Sequence, residues 1–241
     1  MIGIGTIINS ICIILGSTIG YFSRKLFNVS QQESLNKVCG ISIMFIAIAG
    51  VMSGMLKFNG SEIIVEKSML VVLCLALGTI IGELIGIEKW FDSLGEWLKI
   101  KSGNGKDSRF VDAFVTASLT VSIGAMGVVG SIQDGLIGDY STLVLKSVLD
   151  FIIIAMMTSS MGIGSAFSVL PVFVIQFSIT LLASLVSPFV TTLAVEYLSL
   201  IGSVIIFSIG VNLVWGKKIN VANMLPAILF AVLAAYLPWS F

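Results

Sequence analysis

The sequence predicts an all-α fold: a polytopic transmembrane helical bundle of about eight spans, forming a single integral membrane domain over residues 1–241. Composition is the first reason, because 57% of the residues are hydrophobic and only 11% are charged, whereas a soluble domain carries about 25% charged residues. The placement of charge is the second reason. When the chain is threaded as eight spans, ten of its 13 Lys and Arg residues fall on one face, and basic loops stay cytoplasmic. We therefore expect both termini outside.

The spans are apolar segments long enough to cross a bilayer, which takes about 20 residues each. The first begins almost at Met1, without a basic leader or a small-residue cleavage site, so we expect a retained span rather than a removed signal peptide. The fifth and sixth are joined by a short connection and should form a tight antiparallel pair. The segments lie at about 4–23, 38–56, 68–87, 110–132, 142–160, 164–187, 197–215 and 221–239.

The longest polar connection begins with a helix of another kind, at about 87–100. Its apolar side chains recur at helical spacing on one face, and its charged side chains occupy the other. This pattern predicts an amphipathic helix that lies along the cytoplasmic surface of the membrane. The alternative is a simple extension of the third span. The apolar face comprises Ile87, Trp90, Phe91, Leu94, Trp97 and Leu98.

A faint internal similarity relates the two ends of the chain. A shift of 162 residues places Gly40 on Gly202 and Ile43 on Ile205, so the second span resembles the seventh. Extended to neighbouring spans, the similarity predicts an inverted repeat of spans 1–3 and 6–8, a plan that many secondary transporters use. The alternative is coincidence, because Gly and Ile are common in any span.

The fourth span carries a glycine at every third position. Gly124, Gly127 and Gly130 form a bare stripe that lets a neighbouring helix approach closely. The same glycines would also permit a break in the helix at membrane depth, and such breaks line cavities or bind ions. Close packing is the more common use of such a stripe.

Polar residues within or beside the spans are the candidates for binding a solute. Lys146 and Asp150 stand four residues apart, so they share a helix face and can pair, and an intramembrane ion pair usually faces the protein interior. The alternatives are amides that only hold helices together, a solvated turn at Asp134, and a carboxylate at Glu83 that reaches the interface. The full candidate set is Asn9, Glu83, Ser131, Gln133, Asp134, Lys146, Asp150, Gln176 and Asn212.

Several functional classes are disfavoured by composition. The chain has no histidine, which removes the commonest metal ligand and the usual general base, so we expect neither an enzyme nor a metal site. The three cysteines lie in apolar segments without metal-ligand spacing. A net charge of zero gives no indication of a nucleic-acid partner, and no nucleotide or other cofactor motif is present.

Four segments together resemble the bacterial membrane protein family DUF554. The most specific is GSIQDGLIGDYSTLVLKSVLD at residues 130–150. The others are GTIINSICIILG at 5–16, LGTIIGELIGIE at 77–88 and VNLVWGKKINVANMLPAIL at 211–229. The resemblance implies a multi-pass protein of the bacterial inner membrane, of a kind often described as a transport protein. It brings no established substrate or catalytic residue.

The sequence thus favours a secondary transporter or permease for a small solute or ion, with its site where spans four, five and six meet. Acidic groups would bind a cation or relay a proton, and amides would fix the solute. The alternative is a non-transporting scaffold, sensor or subunit that docks a partner through the amphipathic helix. Expected partners are the lipid bilayer, a small solute or cation and, through glycine faces, a second copy of the chain.

Overall fold

A computed structural model describes residues 2–24, 26–59, 62–122, 125–186 and 191–237. Helices dominate these ranges, which confirms the all-α bundle. The helices are α1 (Ile4–Arg24), α2 (Val29–Met55), α3 (Ser68–Ile85), α4 (Ile87–Lys101), α5 (Phe110–Ser122), α6 (Ala125–Ile137), α7 (Ser141–Met161), α8 (Val169–Leu181), α9 (Ala183–Val186), α10 (Thr192–Trp215) and α11 (Pro226–Ala234). Short 3-10 turns at Ile163–Ser168 and Val221–Met224 lead into α8 and α11.

Six helical segments in the described ranges are long and apolar enough to cross a membrane. A seventh is obtained if α5 and α6, which are inclined at 60° to each other, count as one broken span. The last predicted span contains a shorter apolar helix, Val221–Ala234. The predicted total of eight therefore stays a prediction. Residues 123–124, between α5 and α6, are not among the described residues, so the predicted role of Gly124 lies outside them.

Two local features differ from the sequence-based boundaries. Helix α2 begins well before residue 38, because Asn28 and Gln31 form a capping box that starts it at Val29. A small hairpin also follows α2, with β1 (Leu56–Asn59) antiparallel to β2 (Glu62–Val65). The sequence between these strands contains the pair Asn59-Gly60, a hairpin signal that was not used in the sequence-based prediction.

Close helix packing positions the interior polar residues. Gly16 of α1 lies against the backbone of α7, and a Cβ placed on Gly16 would come within 2.5 Å of the Phe151 carbonyl oxygen. Gly20 meets the Ala155 carbonyl in the same way. These contacts bring the two helix backbones together and turn the face of α1 that carries Asn9 towards α7.

The connections assigned to one face of the membrane meet in space. The Arg24 guanidinium at the end of α1 and the Asp107 carboxylate after α4 both lie beside Gly162 at the end of α7. Lys67 pairs with Glu196 at 3.1 Å between two connections that the sequence places on the opposite face. The contacts therefore follow the same alternation as the threading.

Helix α4 is separate from α3, as the amphipathic interpretation requires. Gly86, with φ +73°, ends α3 and precedes α4. Trp90 and Trp97 of α4 are 67% and 56% exposed. The inverted repeat stays a prediction; the helices that it would relate, α2 and α10, pack against each other with Gly40 facing Gly210.

Candidate functional site

Four buried polar side chains from three helices meet in the interior. Asn9 of α1 donates through Nδ2 to Asp150 Oδ2 at 3.0 Å and to Gln176 Oε1 at 3.2 Å. Lys146 of α7 pairs with Asp150 one turn along the same helix. None of the four is more than 6% exposed. We call Asn9, Lys146, Asp150 and Gln176 the polar cluster.

The polar cluster lies at the interruption between α5 and α6. The Lys146 ammonium donates to the backbone carbonyl of Val121 at 2.7 Å. Val121 is in the last turn of α5, where carbonyl groups have no partner within the helix. Lys146 thus supplies a hydrogen bond at the C-terminal end of α5, and its charge suits the negative end of the α5 dipole.

The two amides in the cluster have a fixed orientation. A carboxylate only accepts hydrogen bonds, so Asn9 must turn its Nδ2 towards Asp150. The same Nδ2 group donates to Gln176, so Gln176 must turn its Oε1 inwards. Asn9 Oδ1 and Gln176 Nε2 are then left without a hydrogen-bond partner among the described residues. The cluster therefore keeps one free acceptor and one free donor, both buried.

Gly127 of α6 borders this free donor. A Cβ placed on Gly127 would lie 3.4 Å from Lys146 Cε and 3.7 Å from Gln176 Nε2. Those are ordinary contact distances, so an atom fits there without displacing a neighbour. Gly5 and Gly130 differ, because a Cβ on either would come closer than 3.0 Å to Leu143. Gly127 leaves a space for one atom between Lys146, Gln176 and the first turn of α6.

Three buried hydroxyls form a second layer one turn further along the helices. Thr6 precedes Asn9 on α1, Ser131 follows Gly127 on α6, and Thr180 follows Gln176 on α8, each at the helical spacing that keeps residues on one face. Within the described residues, none of these hydroxyls has a hydrogen-bond partner, although each residue is at most 2% exposed. Together with Asn9 Oδ1 and Gln176 Nε2, we call them the open polar atoms.

Asp134 lies beyond this second layer and has a different role from the one its sequence context suggested. Its carboxylate accepts hydrogen bonds from the backbone N–H groups of Gly3, at 3.2 Å, and Gly5, at 3.0 Å. Asp134 is fully buried in the last turn of α6, so the alternative of a solvated turn is wrong. The carboxylate caps the start of α1, where a negative charge is stabilising. Nearby, Gln133 accepts from Thr142 at 2.8 Å.

The last two candidate residues lie away from the polar cluster and its second layer. Asn212, near the end of α10, binds the backbone N–H groups of Lys218 and Ile219 and the carbonyl of Ile219. Glu83 is exposed near the end of α3 and accepts from Asn220 at 3.4 Å. Asn212 therefore holds the connection after α10 in place. Glu83 lies near the end of α3, which agrees with the alternative that its carboxylate reaches the membrane interface.

A cavity of about 460 Å³ opens among the helix ends on the predicted cytoplasmic face. Its wall includes one face of α5, with Asp112, Val115, Thr116 and Leu119 at helical spacing. Leu119 is the cavity-lining residue of α5 that lies farthest along the helix, two residues before Val121, whose carbonyl Lys146 binds. Further lining residues are Glu33, Asn36, Glu88, Met161, Ile209, Asn212, Leu213, Gly216, Lys217, Ile219 and Val221.

Glu88, which anchors α4 beside this cavity, was not among the site residues predicted from the sequence. The Glu88 carboxylate pairs with Lys217 at 2.7 Å and accepts from the Ala222 N–H at 3.2 Å. The Glu88 N–H donates to Asn223 Oδ1 at 2.7 Å. Burial alone would lower the pKa of the Lys217 ammonium, but the hydrogen bond and charge of Glu88 outweigh it and raise that pKa above its usual value.

A sequence signal for this anchor was available. Glu88 ends one of the segments that resemble the family, and Lys217, Ala222 and Asn223 all lie in another. These two segments pack against each other, α3 and α4 against the turn at Val221–Met224. The two segments that resemble the family therefore contribute the two sides of one tertiary contact.

Comparisons with known proteins support the resemblance. An Escherichia coli (strain K12) protein named "Uncharacterized protein YqgA" is 25% identical over 244 residues, which cover 98% of each chain. A Bacillus subtilis (strain 168) protein named "Uncharacterized membrane protein YdfK" is 27% identical over 225 residues, or 93% of this chain and 92% of that protein. No solved structure matches. With apolar helices long enough to span a bilayer, the chain is a membrane protein.

The family model described as "Protein of unknown function (DUF554)" matches residues 4–236, nearly the whole chain. The chain belongs to the DUF554 family.

Proposed function

We propose that this protein is a secondary transporter or permease for a small solute or ion. The observation that carries the proposal is the polar cluster at an interrupted span, with buried groups still free to bind. Buried polar atoms almost always have partners, and polar groups at membrane depth usually mark a substrate or ion pathway. Interrupted helices are where many transporters bind their substrates.

A route through the protein also supports transport. On the predicted outer side, the open polar atoms of Thr6, Ser131 and Thr180 lie one turn beyond the polar cluster. On the predicted cytoplasmic side, the cavity reaches Leu119, next to the same interruption. Hydrophilic groups thus approach the polar cluster from both faces. The cluster itself is closed, with Asp150 only 4% exposed, as an occluded state requires.

The proposed role is binding and passage rather than a chemical reaction. Lys146 and Asp150 neutralise each other, and neither has a nucleophile or a second acid beside it in the described contacts. The sequence has no nucleotide-binding motif, so a gradient would supply the driving force. We place the protein in the bacterial inner membrane with both termini outside, on the charge asymmetry of the loops.

A non-transporting scaffold is the second candidate, and two observations favour it. The Lys146–Asp150 pair is buried, as in a structural ion pair. The exposed Trp90 and Trp97 on α4 suit either the membrane interface or a partner protein. A scaffold does not explain the open polar atoms, because each would carry a desolvation cost without gaining a hydrogen bond to a ligand.

Ligand-dependent thermal stability of the purified protein tests the proposal. A ligand that binds only the folded state raises its stability by mass action. We expect at least one compound from a panel of ions and small metabolites to stabilise the wild type, and the size of its effect to change in Asp150→Asn. Asp139→Asn is the control, since it also removes a carboxylate but one that is exposed and outside the cluster. A panel without effect, combined with strong destabilisation by Asp150→Asn, would favour the scaffold.

A further inference from the structure

We propose that the space beside Gly127 binds a small anion, and that a proton joins the anion at Asp150. This inference rests on the proposed transport function and names its substrate class and coupling ion. The anion is either inorganic or the carboxylate group of a small organic acid, because both offer compact oxygen or halide acceptors. The sequence alone suggested a cation; the arrangement of donors around Gly127 points the other way.

The acidic groups that suggested a cation are already engaged. Asp150 Oδ2 accepts from both Lys146 and Asn9. Both oxygens of Asp134 accept backbone N–H groups. Asp134 therefore has no free oxygen for a cation. A cation at Asp150 would lie beside the Lys146 ammonium, which repels it.

The groups around Gly127 are hydrogen-bond donors. Gln176 Nε2, with no hydrogen-bond partner among described residues, is 3.7 Å from the Gly127 Cβ position, and Gln176 is only 3% exposed. Lys146 uses two of its three ammonium protons in described contacts, with Val121 and Asp150, and keeps a third. Gly127 is also in the first turn of α6, where backbone N–H groups lack helical partners and the helix dipole attracts anions.

These donors differ from a bare helix N-terminus. A buried amide whose orientation is fixed and a first helical turn meet at one space, and the residue in that space has no side chain. The Lys146 methylene groups Cε and Cδ line the same space at 3.4 and 4.0 Å from the Gly127 Cβ position. The free acceptor of the cluster, Asn9 Oδ1, suits a water molecule that accompanies the anion. Because the space holds about one atom, it suits a halide ion or one oxygen atom of a nitrate or carboxylate group.

Charge balance requires the proton. Lys146 and Asp150 together are neutral, so an added anion would leave a net negative charge in a buried site, which is strongly unfavourable. If Asp150 takes up one proton, its hydrogen bond with Lys146 weakens, and the ammonium can turn to the anion. The loaded site is then neutral again, with one anion and one proton bound. Both leave together when the site opens to the other side.

Other titratable groups on the helices around α7 do not replace Asp150 in this step. Asp134 is held by backbone N–H groups at the start of α1. Cys12 is a thiol one turn beyond Asn9. The charged or titratable residues of α1, α2 and α5 nearer the cytoplasmic end are Tyr21, Arg24, Glu33, Lys37, Cys39 and Asp112.

The binding test compares Gly127→Ala with wild type. The purified full-length protein is kept in sodium HEPES at constant ionic strength, and its unfolding midpoint is measured with chloride, nitrate, formate or acetate added as sodium salts. Potassium, lithium and ammonium HEPES form the cation arm. An added Cβ at Gly127 meets ordinary contacts and alanine favours helix, so the variant should fold. Gly105→Ala is the matched control, with no described atom within 4 Å of the new Cβ.

We expect an anion to raise the wild-type midpoint by about 5 °C when it is roughly 100-fold above its Kd. Gly127→Ala should abolish the shift and Gly105→Ala should retain it. An effect of chloride or nitrate alone assigns an inorganic anion, and an effect of formate or acetate alone assigns an organic acid. The inference is overturned if only cations stabilise, if no anion does, or if the anion shift survives in Gly127→Ala.

The proton is tested in proteoliposomes that contain a pH-sensitive dye. An inward gradient of the stabilising anion should acidify the lumen with wild type but not with Asp150→Asn, and protein-free vesicles measure passive entry of neutral acids. Binding without acidification would overturn the coupling. If a cation or a neutral solute stabilises the protein instead, the assignment of an anionic substrate is wrong, but the proposed transport site is still supported. If neither binding nor access from two sides is found, the proposed function itself fails.

Discussion

The Asn9 amide donates to the Asp150 carboxylate at 3.0 Å across 141 residues of sequence. This single contact orients both amides of the polar cluster, because Asn9 must present its Nδ2 to the carboxylate and Gln176 must then present its Oε1 to Asn9. These orientations leave Gln176 Nε2 as a free donor and Asn9 Oδ1 as a free acceptor among the described residues. The contact therefore links the ion pair on α7 to the binding capacity of α1 and α8.

The Lys146–Asp150 pair should show strong coupling in stability. We expect Asp150→Asn to lower the free energy of unfolding by about 3 kcal/mol, because it leaves the buried Lys146 charge without its partner. The double variant Lys146→Met/Asp150→Leu should recover most of this loss, since it removes both charges. Denaturation of the three proteins in detergent measures the coupling. A double variant as unstable as Asp150→Asn would show that the pair is not the source of the loss.

Asp134 should act locally on the start of α1. We expect Asp134→Asn to reduce stability by about 1 kcal/mol, since an amide keeps one acceptor but loses the charge that favours a helix N-terminus. Hydrogen exchange should accelerate at Gly5 and its neighbours in the first turn of α1. Amides near Gly16, which packs on α7, provide the internal reference. Faster exchange along the whole of α1 would indicate loss of helix packing instead.

The contact between α1 and α7 should tolerate no added volume. A Cβ on Gly16 would approach the Phe151 carbonyl oxygen to 2.5 Å, so the backbones would have to separate. We expect Gly16→Ala to lower the free energy of unfolding by about 2 kcal/mol, and the change should be visible as a lower unfolding midpoint. Gly105→Ala should leave the midpoint unchanged. Equal midpoints for both variants would contradict the packing described for α1.

Asp139, between α6 and α7, should make stability depend on acidity. The backbone N–H of Ser141, which donates at 3.0 Å, is the main reason that the pKa of Asp139 lies below its usual value. A lowered folded-state pKa gives stability above the unfolded-state pKa of about 3.9, and that stability is lost as pH falls through the folded-state pKa. The difference in unfolding midpoint between wild type and Asp139→Ala should therefore be constant at neutral pH and vanish in strong acid. A difference that grows in acid would contradict this sign.

Local spacing accounts for the part of the candidate site that the sequence could predict. Lys146 and Asp150 share a helix face, and the apolar context of Asn9 and Gln176 indicated buried amides. Which amides would meet was beyond the sequence, because the answer depends on helix packing. Asn9 reaches α7 since Gly16 and Gly20 bring the two backbones together, whereas Asn212 satisfies backbone groups after α10.

Tertiary contacts also determine the roles of residues that local sequence patterns did not predict. The Asp134-Gly135 pair is typical of a turn, yet it lies within α6 because the carboxylate caps a helix that is distant in sequence. Glu88 and Lys217 are far apart along the chain and form one ion pair. The glycine stripe of the fourth predicted span was expected to serve close packing, with a break as the alternative. Helices α5 and α6 are inclined at 60°, and the part played by Gly124 stays a prediction.

The central claim is that polar residues on both sides of the polar cluster line one pathway. Cysteine labelling from each side of the membrane tests this claim without knowledge of the substrate. Cys12, Cys39 and Cys74 are first replaced by serine or alanine, and one cysteine is introduced at Ser131, at Leu119 or at Ser147. Ser147 is the control, being equally buried but hydrogen bonded within α7.

We expect an impermeant maleimide to label Ser131→Cys in intact cells and Leu119→Cys in inverted vesicles, while Ser147→Cys stays unlabelled from both sides. Opening of the pathway to either face exposes the first two positions, although Ser131 is fully buried and Leu119 is 4% exposed in this structure. If Ser131→Cys is as inert as Ser147→Cys under all conditions, the outer route does not open, and the protein is a scaffold rather than a transporter.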